Sequence, residues 1–211
     1  MNITWHGQSF FRITTQKDKN TVDVVIDPYN KESGLTPPKV RVDILIVSDN
    51  KLDQKSFPNI EGSPFLISFP GEYEVKDVFV QGLTEDHKTT FYFIEAEGIR
   101  ICHLGKFSQK EMSPDQLESL GDVDILFLPI GGGDTIEAKD AAKIVAQIEP
   151  KIVIPMNYKI PGLKDKLEGL DEFLKIMGIE TKEELAKLSI KQKDLSFEEK
   201  KPEIVILSPK N

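Results

Sequence analysis

The chain has 211 residues, 27 Lys+Arg against 35 Asp+Glu, and a net charge of −8. That length suits one domain with a sizeable core, and 39% hydrophobic against 29% charged residues is globular rather than disordered composition. The acidic balance argues against general nucleic-acid binding, no apolar run reaches the length of a membrane span, and the single cysteine, Cys102, excludes an internal disulfide framework. The opening Met1-Asn2-Ile3-Thr4-Trp5-His6 has neither a basic nor an apolar leader region. A cytoplasmic protein of one domain, residues 1–211, is expected.

The first half reads as strands. Ile3 to Trp5 and Ser9 to Thr14 form a hairpin pattern around Gly7. Val22 to Ile26 ends at Asp27-Pro28, and Asp43 to Val47 is apolar on both faces, as a central strand would be. Pro64–Ser68, Glu72–Val75, Val78–Gly82, Thr90–Glu95 and Ile99–Cys102 follow at short spacing. Phe10, Phe11, Phe65, Phe69 and Phe79 are expected in the core.

The pattern then alternates. Ser113-Pro114-Asp115-Gln116 is a capping box that starts a helix to about Leu120. Asp124–Leu128 is a buried strand; Ala138, Ala141, Ala142, Val145 and Ile148 share one face of a helix over about 137–149; Lys151–Pro155 is a strand. This is a βαβ unit. An amphipathic helix is expected over 163–177, a short one capped by Thr181 to Glu184, within a helical segment of about 163–200, and a closing strand over about 203–207. Strands first and strand–helix alternation later point to an α/β (α+β) fold.

The strand ends carry the most specific signal. Ile3-Thr4-Trp5-His6-Gly7-Gln8-Ser9-Phe10-Phe11, Ile26-Asp27-Pro28, Pro70-Gly71-Glu72-Tyr73-Glu74-Val75, Val80-Gln81-Gly82, Ile101-Cys102-His103-Leu104-Gly105, Pro129-Ile130-Gly131-Gly132-Gly133 and Glu149-Pro150 through Pro155-Met156 occur in order along nearly the whole chain. Together they resemble the metallo-β-lactamase fold, and within it the bacterial metal-dependent hydrolases related to ascorbate-6-phosphate lactonase. The resemblance implies a four-layer αββα sandwich of two mixed sheets with outer helices, and a dinuclear zinc-type site.

At the positions where that resemblance implies metal ligands, the residues differ. The His-x-His-x-Asp-His segment after Val47 reads Asp49, Lys51, Asp53 and Gln54 at its four ligand positions. The bridging Asp is Lys106, the His after Ile-Pro-Met is Asn157, and one His is kept as His87. A lysine ammonium has three donors and no acceptor, so it opposes a metal. These positions are expected to be relics: no metal and no cofactor, with Lys51 and Lys106 forming a salt-bridge cluster with Asp49 and Asp53. The expected function is a non-catalytic pseudoenzyme, a binding, regulatory or structural subunit that self-associates or pairs with an active paralogue, touching neither nucleic acid nor membrane.

Two alternatives stay open. One is a hydrolase of small phosphorylated or lactone-like substrates, with zinc or manganese on Asp49, Asp53 and His87, joined by His6. The other is a metal-free binder of a small anion, using Lys51, Lys106 and the cleft loop Gly131, Gly132, Gly133, Asp134 and Thr135. That loop is otherwise read as a tight turn with Asp134 or Thr135 as helix N-cap. His103 reads as a hydrogen-bonded core histidine and Cys102 as a buried, inert thiol. The charged run 191–201 reads as a solvated face.

Overall fold

The computed structural model describes residues 1–17, 20–49, 52, 54–84, 89–180, 183–195 and 201–210. Two mixed sheets face each other. The first has six strands in the order Leu188–Ser189, Asn2–Trp5, Phe11–Lys17, Asn20–Ile26, Ile44–Ile46 and Phe65–Ile67. The second has seven, in the order Glu203–Ile204, Ile152–Met156, Ile125–Pro129, Ile99–His103, Thr90–Ala96, Val78–Thr84 and Gly71–Val75. In each, one end is parallel and the other antiparallel.

Side-chain alternation along the strands separates two cores. Val24, Ile26, Ile44, Ile46 and Ile67 face inward and join the second sheet in one large cluster. Val25, Leu45 and Val47 face outward into a smaller cluster with Phe10, Tyr29, Val40, Val42, Phe57 and Ile60. A ribbon of Val40–Arg41 paired with Ile60–Glu61 contributes to this second cluster. Among the described residues, this layer contains no α-helix.

The second sheet carries the helices. α1 (Pro114–Leu120) has its capping box: Ser113 Oγ accepts from the Gln116 amide, and Gln116 Oε1 accepts from the Ser113 amide. α2 (Ala138–Ile148) buries Ala138, Ala141, Ile144, Val145 and Ile148. It connects the parallel strands Ile125–Pro129 and Ile152–Met156, the crossover expected of a βαβ unit. α3 (Leu170–Met177) packs against α2.

Three expectations for the C-terminal third need correction. The helix expected from 163 begins only at Leu170. Backbone amides in 163–169 are spent elsewhere: Lys164 N donates to Ser33 O at 3.0 Å and Glu168 N to Gly131 O at 2.9 Å. No helix follows residue 183 among the described residues except a 3-10 turn, Gln192–Leu195; Glu184–Leu185 instead pairs with Ile206–Leu207. Thr181, and with it the expected cap, lies outside the described residues. The closing strand is split at Val205, so Glu203–Ile204 and Ile206–Leu207 serve different sheets. Phe65 and Phe69 are also not core residues, being 48% and 56% exposed.

Candidate functional site

Several strands end at one place. Ile26 is followed by Asp27, Ile46 by Val47-Ser48-Asp49, His103 by Leu104-Gly105-Lys106, Pro129 by the Gly131–Thr135 loop, and Met156 by Asn157. Loops at the carboxyl ends of strands are where open α/β folds bind ligands. Here they surround a cavity of about 510 Å³ lined by Gln8, Asp27, Ser48, Asp49, Lys106 and Asn157, with Gly132 to Thr135 on one side. Residues Asp165 to Leu167, in the segment expected to be helical, complete its wall.

The backbone is strained at this cavity. Gln8, Asp27 and Asn157 have φ of 49°, 45° and 53°. Left-handed conformations disfavour residues with a side chain and concentrate at functional sites. Each is held by hydrogen bonds. Gln8 O accepts from Trp5 Nε1 at 2.8 Å and from Asn157 N at 3.2 Å. Asp27 takes both donors of Ser48, the amide at 2.7 Å and the hydroxyl at 2.8 Å. Asn157 Nδ2 donates to Thr135 Oγ1 at 3.3 Å, and Thr135 Oγ1 donates to Gly132 O at 3.0 Å. Thr135 is therefore occupied within the loop. The N-cap of α2 is Glu137, two residues beyond the expected Thr135, and no side chain caps it.

His103 lies beneath Asp27, with Nδ1 3.8 Å from its carboxylate, and is wholly buried. Nδ1 accepts from Gly105 N at 3.1 Å, which leaves Nε2 to donate to Ser9 O at 3.0 Å. Burial pushes its pKa down, so the ring is neutral and structural. Burial raises the Cys102 thiol, which is inert as expected. His6 does not line the cavity. Its Nδ1 meets the carbonyl of Lys210, and its backbone O accepts from Tyr29 Oη at 2.6 Å.

The expected metal-site positions divide into three groups. Asp49, Lys106 and Asn157 come together in the cavity. Gln54 does not: its Nε2 donates to Gly62 O at 3.0 Å. Lys51, Asp53 and His87 lie outside the described residues. The expected cluster of Asp49, Asp53, Lys51 and Lys106 therefore rests on undescribed positions, and among the described residues Lys106 makes no ion pair. Nor is there a group of three or more His, Cys, Asp or Glu among the described residues that could hold a metal ion. One carboxylate, an amide and an ammonium fall short of the three or four ligands a zinc site needs. The described donors do not by themselves fit a metal.

Tyr29, Asn30, Ser33, Leu52, Phe57, Asp165 and Lys166 also line the cavity and were not singled out from sequence. For Asp165 and Lys166, the preceding Pro161-Gly162 and following Gly169 are loop signals outweighed by leucine spacing.

Comparison with known proteins gives a consistent assignment. The family model described as a beta-lactamase superfamily domain matches residues 2–157. The UPF0173 protein PF0020 of Pyrococcus furiosus is 28% identical over 185 residues, covering 75% of this chain and 83% of that one. A UPF0173 metal-dependent hydrolase of Lysinibacillus sphaericus is 27% identical over 201 residues, covering 75% and 85%. A Thermotoga maritima structure, assigned as a Zn-dependent hydrolase of the metallo-beta-lactamase superfamily, superposes with a TM-score of 0.78 at 29% identity, covering 98% and 97%. These relatives overturn the expectation of a protein without a metal cofactor, because proteins similar over most of their length are named metal-dependent hydrolases. The matched family model, the paired mixed sheets and the cleft at their strand ends place this chain in the metallo-beta-lactamase superfamily.

Proposed function

We propose that the chain is a metal-dependent hydrolase of small phosphorylated or lactone-like substrates, acting as one domain with a remodelled metal site. The carrying observation is the cleft: the strand-end loops enclose about 510 Å³, with Asp49 in the wall and three strained residues around it. The names of the relatives support zinc or a similar ion. Asp49, Asp53 and His87 are the proposed holders, on the strength of their positions in the sequence. Within the chain itself, Asp27 fixes Ser48 and the Ser48–Asp49 turn through two hydrogen bonds. Gln8 and Asn157 tie the opposite wall together.

A second reading, a binding or regulatory subunit without turnover, is favoured by Lys106, a cation among the residues that line the cleft. One experiment separates the two. Purified protein is assayed against lactones and phosphoesters with zinc or manganese, after chelation, and as the Asp49→Ala variant. The hydrolase reading expects turnover that chelation abolishes and Asp49→Ala lowers at least tenfold. Turnover unaffected by both, or none on any substrate, contradicts it.

A further inference from the structure

We propose that Lys106 receives an anionic group, phosphate or carboxylate, of the molecule that occupies the cleft. This deepens the hydrolase reading, and rests on it in taking that molecule to be the substrate. At this position the resemblance implies a carboxylate bridging two metal ions; here the charge is reversed. At this one position the cleft presents an ammonium, which suits an oxyanion of the bound molecule.

The surroundings agree. Among the described residues Lys106 has no ion pair, although four carboxylates line the same cavity. Two are engaged by neutral donors: Asp27 by Ser48 at 2.7 and 2.8 Å, and Asp165 by Gln8 Nε2 at 2.8 Å. Asp49 also has an interaction of its own. Lys106 is exposed among the residues that line the cavity and has no carboxylate partner among the described residues, so its ammonium is open to an incoming oxyanion through a charge-assisted hydrogen bond. Its backbone is well anchored. Gly105 N is fixed on His103, and Phe107 O accepts from Ile136 N at 3.2 Å, which sets Lys106 beside the Gly132–Thr135 loop. Gly105 has φ 55°, and a Cβ there would lie only 3.0 Å from Ser48 Cβ and Oγ, so Ser48 would have to give way.

Titration calorimetry with inorganic phosphate, at constant ionic strength set with chloride, tests the proposal on the protein as purified. Wild type is expected to bind saturably. Lys106→Gln should weaken binding tenfold or more, Lys106→Arg should keep it within a few-fold, and Lys110→Gln, outside the cavity, should match wild type. Absence of saturable binding by wild type, or equal binding by Lys106→Gln, overturns the proposal. Phosphate binding through Lys106 without turnover would sink the hydrolase reading alone. Turnover with an unchanged KM in Lys106→Gln would sink this inference alone.

Discussion

Both described histidines, His6 and His103, are buried, and burial pushes each below its ordinary pKa. His6 uses one nitrogen on the Lys210 carbonyl, and its Nε2 is buried with no hydrogen-bond partner among the described residues. A second proton would sit on that nitrogen without an acceptor. The unfolded chain therefore binds the proton more readily, at about pH 6.5. Stability is complete above that pH and is lost as the pH falls through the lowered folded values. Thermal melts from pH 7.5 to 5 should show wild type losing more than His6→Asn. Equal losses would contradict the assignment. At the opposite end of the second sheet, burial alone would raise Asp124, but hydrogen bonds from Lys151 and Arg100 outweigh it and hold the carboxyl below its usual range. Asp124 accepts from the Arg100 amide and from Lys151 Nζ, each at 2.8 Å. Asp124→Ala should cost about 2 kcal/mol in denaturant unfolding, and a loss under about 0.5 kcal/mol, the range of an ordinary surface change, would refute that role.

At the scale of elements, the cleft depends on close backbone approach. A Cβ on Gly131 would lie 2.4 Å from Asn157 O and 2.9 Å from Tyr158 Cα. Gly131→Ala must therefore move Asn157 or the loop, and should cost roughly 1–3 kcal/mol while weakening ligand binding. Unchanged melting and unchanged binding would show that the loop yields freely. Much of this region could be read from sequence. The capping box of Ser113 and Gln116, the apolar face of α2, and the apolar strands on either side of it are local patterns. The 163–169 segment was not legible, because Leu163, Leu167 and Leu170 mimic helical spacing while their backbone partners, Ser33 and Gly131, are distant in sequence. Thr181 to Glu184 has the form of a capping box, yet Glu184–Leu185 is claimed by a strand from the end of the chain. The strand ends that gather the cavity were legible only through the family resemblance; Tyr29, Phe57 and Lys166 enter it through tertiary packing alone.

Across the whole molecule, the two sheets enclose one large core and leave one side of the sandwich less covered. Phe65–Ile67 is an edge strand of the first sheet and Gly71–Val75 of the second, and the exposed Phe65 and Phe69 lie in and just after the former. Phe69→Ser should change stability by no more than about 0.5 kcal/mol, whereas Phe11→Ala should cost about 3–5 kcal/mol. Phe11 is fully buried and stacks on Phe127 at 4.0 Å, joining the two sheets through the core. A large loss from Phe69→Ser would mean that this side is covered. The same architecture brings Asp49, Lys106 and Asn157 into one cleft, and the central claim is that this cleft works with a metal. Elemental analysis of untagged protein, grown with zinc, manganese and iron in the medium, tests it most directly. The account predicts close to one ion per chain, reduced in Asp49→Ala. A well-folded protein with no bound metal would contradict it.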